Sequence, residues 1–123
     1  MKNKLSLGVY GELFALDLEK VMYLEADDHY TIVYYSSGIH FMLPFGLSKV
    51  EEAISDEKIA GNIYLLRFCR KYIVNINYIY HVNVMKQIIQ LYDNRGDSHS
   101  LHIPKPILRN LLEKMKNESV KDS

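Results

Sequence analysis

The sequence predicts a mostly β domain with one short helix in its middle and another at its C-terminal end. Three observations lead there. Ten tyrosines and many Ile and Val residues favour extended chain over helix. Short runs with apolar and polar residues alternating recur along the chain, bounded by turn-forming residues. Apolar spacing of three and four, the mark of a helix, occurs in two segments. At 123 residues, 48% of them hydrophobic, the chain fits one domain with a substantial core.

Taken in order, ELFALDL (Glu12–Leu18) alternates as a half-buried strand does, and VMYLEA (Val21–Ala26) reads as a second strand. Asp27-Asp28-His29 is a short polar loop leading to YTIVYY (Tyr30–Tyr35), a β-branched and aromatic strand. The turn signal Ser36-Ser37-Gly38 joins it to IHFML (Ile39–Leu43) in an expected hairpin. In LSKVEEAI, Leu47, Val50 and Ile54 recur at helical spacing, and Ser48 with Glu51 three residues on resembles a capping box. Strand character returns over Tyr64–Phe68, Tyr72–Ile76, Ile79–Val84 and Gln87–Tyr92. Asp93 to Asp97 is a tight turn before a last strand, Ser98–Ile103. Pro104 and Pro106 stop sheet pairing and suit a helix start. Ile107, Leu108, Leu111, Leu112 and Met115 line one face of that helix. Residues 1–117 are expected to form one domain and residues 118–123 a frayed tail.

Composition excludes several classes. The single cysteine, Cys69, cannot form an intramolecular disulfide, which fits a reducing cytoplasm. The apolar run near the N-terminus is too short and broken for a signal peptide, and no stretch approaches the length of a transmembrane helix. A cytoplasmic protein without membrane partner is expected. There is no Gly-rich phosphate loop. His99 and His102, three apart on a strand, face opposite ways and make a poor metal pair. No cofactor, metal, small-molecule substrate or enzymatic activity is expected.

The charge balance is zero overall, but its distribution is uneven. Six acids and one cation lie between Glu12 and Asp28, whereas Lys58 to Tyr92 holds five cations and no acid. An acidic and a basic region are expected, the bland alternative being chance runs of solvated surface.

Three segments, VMYLEADDHYTIVYYSSG (Val21–Gly38), LRFCRKYIVNINYIYHV (Leu66–Val82) and LHIPKPILRNLLEKM (Leu101–Met115), carry a family resemblance. They are similar, in that order, to the "I-x-Y-I-E-A-x-x-N-Y", "F-x-R-x-H-R-S-Y-I-V-N-x-x-x-I" and "P-V-S-R-R/P-x-x-x-x-L" patterns of the LytTR family of bacterial DNA-binding domains. LSKVEEAI falls where that family places its "L-x-x-L-E-x-x-L". The resemblance runs from about Leu5 to Met115. It implies an elongated arrangement of small antiparallel sheets that reads DNA with loops entering successive major grooves. It also implies that His29 is a polar loop residue reaching DNA and that Arg70 is the principal base reader, since Arg bridges G O6 and N7. Lys71 stands at the family's serine and Lys105 at the Arg of "S-R". Arg67 matches the signature's first Arg, as a structural residue or a phosphate contact. Tyr72, Ile73 and Val74 are expected in the core, and Asn75 tying backbone at a turn.

The chain departs from the pattern at Cys69, where the family has histidine, at Lys71, and at Pro104, where it has serine. A hydrogen-bond donor is lost and a cation gained, which alters the expected target sequence more than DNA binding itself. About four residues precede the resemblance, so no input domain is expected ahead of it; a free-standing regulator and a fragment of a longer one both stay open.

The expected function is therefore sequence-specific regulation of transcription on double-stranded DNA, with a second copy on repeated half-sites. The expected DNA-binding residues are His29, Arg67, Cys69, Arg70, Lys71 and Lys105. The alternative is a LytTR-like protein-interaction module that modulates another regulator, with the acidic Glu12–Asp28 region as contact surface. A redox role for Cys69 is a third idea, against an inert, partly buried thiol.

Overall fold

The computed structural model describes residues 4–56 and 64–115. The expected tail, and Lys58 of the acid-free stretch, lie outside the described residues. The extended runs form a hairpin of β1 (Lys4–Val9) and β2 (Glu12–Asp17), then β3 (Val21–Asp27), β4 (Tyr30–Tyr35) and β5 (His40–Leu43). After α1 (Leu47–Asp56) come β6 (Leu65–Arg67), β7 (Tyr72–Asn75), β8 (Ile79–Asn83), β9 (Ile88–Tyr92), β10 (Ser98–His102) and α2 (Lys105–Met115). Three antiparallel sheets result: β1-β2, β5-β4-β3-β7-β6 and β10-β9-β8.

The five-stranded sheet separates two hydrophobic cores, and its sequence explains how. In β7, Ile73 faces one core while Tyr72 and Val74 face the other. A strand covered on both faces reads as a continuous apolar run, as YIV does. In β3 a register irregularity between Val21 and Tyr23 shifts the alternation, so that all four residues of VMYL are buried. Val21 and Leu24 enter the first core with Val50 and Ile54 of α1 and Leu5 and Leu16 of the β1-β2 hairpin. Met22 and Tyr23 enter the second, with Ile89, Leu91, Leu101 and Leu108 from the three-stranded sheet and α2.

Long-range polar ties lock these layers together. Asn75 is buried; its Nδ2 donates to the Val21 carbonyl at 2.9 Å and its Oδ1 accepts the Asn77 N–H at 3.0 Å. It thus ties backbone at a turn, as the family pattern implies. Thr31 is also buried, donating to the Phe45 carbonyl at 2.8 Å. The β9-β10 turn docks on the β4-β5 turn. There the Asn94 N–H donates to the Ser36 carbonyl at 2.8 Å and Asn94 Nδ2 to Ser36 Oγ at 3.0 Å.

Two readings of the sequence need correction. The capping box is not formed: the Gly46 carbonyl accepts the N–H groups of Lys49 and Val50, so the helix starts ahead of Ser48. Ser48 and Glu51 still share a helix face, because three residues is nearly one turn, but both side chains accept from Arg67. The second is β1: the strands named from the sequence begin at Glu12, although Leu5, Leu7 and Val9 alternate and Lys4–Val9 pairs with β2. Its turn lacks the usual Asn-Gly signal; Tyr10 and Gly11 take φ of 45° and 82°, the two left-handed residues a tight hairpin requires.

Candidate nucleic-acid interface

Alternation along β6 places Leu65 and Arg67 on the side facing α1 and Leu66 on the side of the second core. Arg67, at the strand's end, therefore meets the α1 residues Ser48 and Glu51. Its Nη1 donates to Glu51 Oε1 at 2.8 Å and to Ser48 Oγ at 3.4 Å. The same guanidinium turns back on the segment that follows: Nε donates to the Cys69 carbonyl at 2.7 Å and Nη2 to the Arg70 carbonyl at 3.1 Å. The Phe68 N–H donates to the Tyr72 carbonyl at 3.0 Å and closes the base of this turn. Phe68 is buried in the second core, with Cys69 packed partly against it.

At the tip, Arg70 is exposed, and its side chain makes no ion pair or hydrogen bond among the described residues. Lys71 is 57% exposed; its Nζ lies 3.5 Å from Glu25 Oε2 and 5.7 Å from the centre of the Tyr72 ring. Burial and the adjacent Glu25 carboxylate push the Tyr34 phenol up, so it remains a donor to Glu25 at 3.3 Å.

Arg70 and Arg67 line an open cleft of about 470 Å³ with Asp28, His29 and the start of α1, Gly46 to Ser48. His29 stands on the β3-β4 loop, fully in solvent, with Nε2 3.8 Å from Asp28 Oδ1. Asp28 makes that loop tight by adopting φ of 58°, which Asp tolerates better than most residues. The fold thus brings His29, Arg67 and Arg70 together, although the first is 38 and 41 positions from the other two. Cys69 and Lys71 flank Arg70 on the same turn. Lys105 is not a lining residue of this cleft. It opens α2, where the Pro104 carbonyl accepts the Ile107 and Leu108 N–H groups. The start of α1 is the part of the cleft that sequence reasoning missed; the only signal was its position in the family's pattern.

The expected separation of charge is partly cancelled in three dimensions. Glu51 neutralises Arg67, Glu25 faces Lys71, and Asp17 lies 3.8 Å from both Lys4 and Lys20. The free cation of the turn is Arg70, among the described residues. No group of three or more His, Cys, Asp or Glu side chains suited to a metal occurs among them. Nor is any helix among them long and apolar enough to cross a membrane.

Small antiparallel sheets around a cationic turn, with a middle and a terminal helix, define a β-rich module. The profile of the LytTr DNA-binding domain matches residues 11–116, and the chain belongs to the LytTR family of DNA-binding domains. Among solved structures, a LytTr DNA-binding domain from a Bacillus cereus response regulator has the same fold. The TM-score is 0.60, with 20% identity over 92% of this chain and 96% of that one. No curated protein matches.

Proposed function

We propose that this protein is a sequence-specific, double-stranded DNA-binding regulator of transcription that inserts loops into successive major grooves. The observation that carries the reading is Arg70, an exposed and unpaired guanidinium at the tip of a closed turn, with His29 across the cleft. An Arg held in that way can form the bidentate contact to guanine that dominates direct readout. Lys71, on the same turn, supplies phosphate attraction, and Cys69 offers a small, weakly polar surface where the family has a histidine. Lys105, on a separate element, suits contact with a second groove, and two copies would then read repeated half-sites.

Membership of the family supports this reading, and the local charge fits it better than the neutral total does. The test is selection of bound duplexes from a random library at two salt concentrations. Enrichment of one motif, repeated at about one helical turn, is expected, with affinity falling steeply as salt rises. Absence of any enriched motif, together with a stable complex with another regulator, would favour the protein-interaction reading instead.

A further inference from the structure

The guanidinium of Arg67 is spent inside the protein. Four of its N–H bonds are directed at Glu51, Ser48 and the carbonyls of Cys69 and Arg70, and its side chain is 21% exposed. It lines the cleft containing His29 and Arg70. It also lines a second one, of about 330 Å³, between β6 and α2. It therefore stands as the wall between them, joining α1 to the backbone that carries Arg70.

We propose that Arg67 is a positioning residue for base readout: with Glu51 it clamps the Cys69–Arg70 backbone so that Arg70 is presented in one orientation, and it does not itself contact phosphate. This rests on the DNA-binding reading above. A phosphate contact would have only the one remaining Nη2–H, on a guanidinium whose charge Glu51 already neutralises. The geometry also explains the residue type, because a planar fork can serve two carbonyls and a carboxylate together, whereas a lysine ammonium is a single flexible point charge. Holding the tip before DNA arrives removes an ordering cost that would otherwise weaken binding.

The experiment compares the wild type with Arg67→Gln, Arg67→Lys, Glu51→Gln, Arg70→Ala and the Arg67→Gln/Arg70→Ala double variant. Binding to the selected duplex and to a scrambled one is measured over a range of salt, with thermal melts to establish folding. For Arg67→Gln, affinity for the selected duplex is expected to fall on the order of tenfold, with the scrambled duplex bound as before and the salt slope unchanged. Arg67→Lys should fail to restore affinity. The double variant should lose little beyond Arg70→Ala, since the clamp acts through that side chain.

Glu51→Gln gives the decisive sign. It loosens the clamp and should weaken selected-duplex binding; if Arg67 were a phosphate contact, freeing it from Glu51 would tighten binding to every duplex. This helix-surface variant keeps the test open should the Arg67 variants fail to fold. A salt slope shallower by about one phosphate in Arg67→Gln, full rescue by lysine, additive losses or tighter binding by Glu51→Gln would each overturn the clamp alone. Failure of the wild type to prefer any duplex would instead remove the DNA reading and the clamp with it.

Discussion

Two tight turns in this molecule are each organised by one charged side chain, and they use opposite signs. In the Phe68–Lys71 turn, the Arg67 cation gathers the carbonyls of Cys69 and Arg70. In the β9-β10 turn, the Asp93 anion gathers N–H groups: Oδ1 accepts from Arg95 at 2.8 Å and Asp97 at 2.9 Å, and Oδ2 lies 2.8 Å from His99 Nε2. Asp93 is buried, its turn is docked on Ser36, and the turn's own cation is occupied: Arg95 lies over Gly38 and 3.7 Å from Asp97. Arg67 is nearer the surface, and its turn leaves Arg70 unpaired. The same device thus closes one turn onto the fold and holds the other out to solvent. What separates a structural turn from a presenting one is whether the cation at its tip has a partner.

The largest expected effect on that comparison is on stability, at the buried anion. Asp93→Ala strands the N–H groups of Arg95 and Asp97, and Tm should fall by about 10 °C while the DNA preference of the folded fraction survives. Loss of preference with an unchanged Tm would reverse the roles assigned to the two turns. The hydrogen bond from His99 holds the Asp93 carboxyl at about 2, against the opposing effect of burial and with help from the Asp97 and Arg95 N–H groups. A depressed carboxyl stabilises the fold fully above its unfolded value, 3.8, and that contribution is lost as pH falls through about 2. Denaturation midpoints of the wild type should drop across that window, and those of Asp93→Asn should drop less.

Next in size is Arg70→Ala, for which specific affinity should fall by about 1–3 kcal/mol with Tm unchanged. Wild-type discrimination between duplexes in this variant would exclude Arg70 as the base reader. Gly38→Ala probes the contact between the docked turns. Gly38 has φ of 99°, and a Cβ there would lie 2.8 Å from the Arg95 guanidinium carbon. The side chain can swing away, so the backbone strain dominates, and a loss of about 1 kcal/mol in chemical denaturation is expected. The smallest effect belongs to Lys71→Ala. Its pairing with Glu25 is half-exposed, so stability should change by under about 1 kcal/mol. Binding should weaken alike on all duplexes, with the salt slope reduced by about 1. A change confined to one sequence would make Lys71 a base reader as well.

Much of the architecture was legible in the chain, for reasons that differ by element. YTIVYY predicts β4 at its observed limits, Tyr30–Tyr35, because alternation and β-branching are local properties. The apolar runs VMYL and YIV mark β3 and β7, though not the two separate cores they fill. The hairpin strand β1 was obscured by Tyr10, an unusual residue for a left-handed turn position. Among the site residues, Arg70 and His29 were picked out by pattern, but their common cleft with the start of α1 was not. Nothing in the order of residues announces that Ser48 and Glu51 would face Arg67.

The sequence by itself determined the period of each segment, the family, and the placing of three cations around the turn after β6. Only the tertiary structure decided which of those cations is free. Ionic and polar partners are chosen across long loops: Arg67 by Glu51 from 16 residues away, Lys71 by Glu25, Asn94 by Ser36 from 58. A charge's availability depends on what packing brings within a few ångströms, because Coulomb and hydrogen-bond energies act through space and not along the chain.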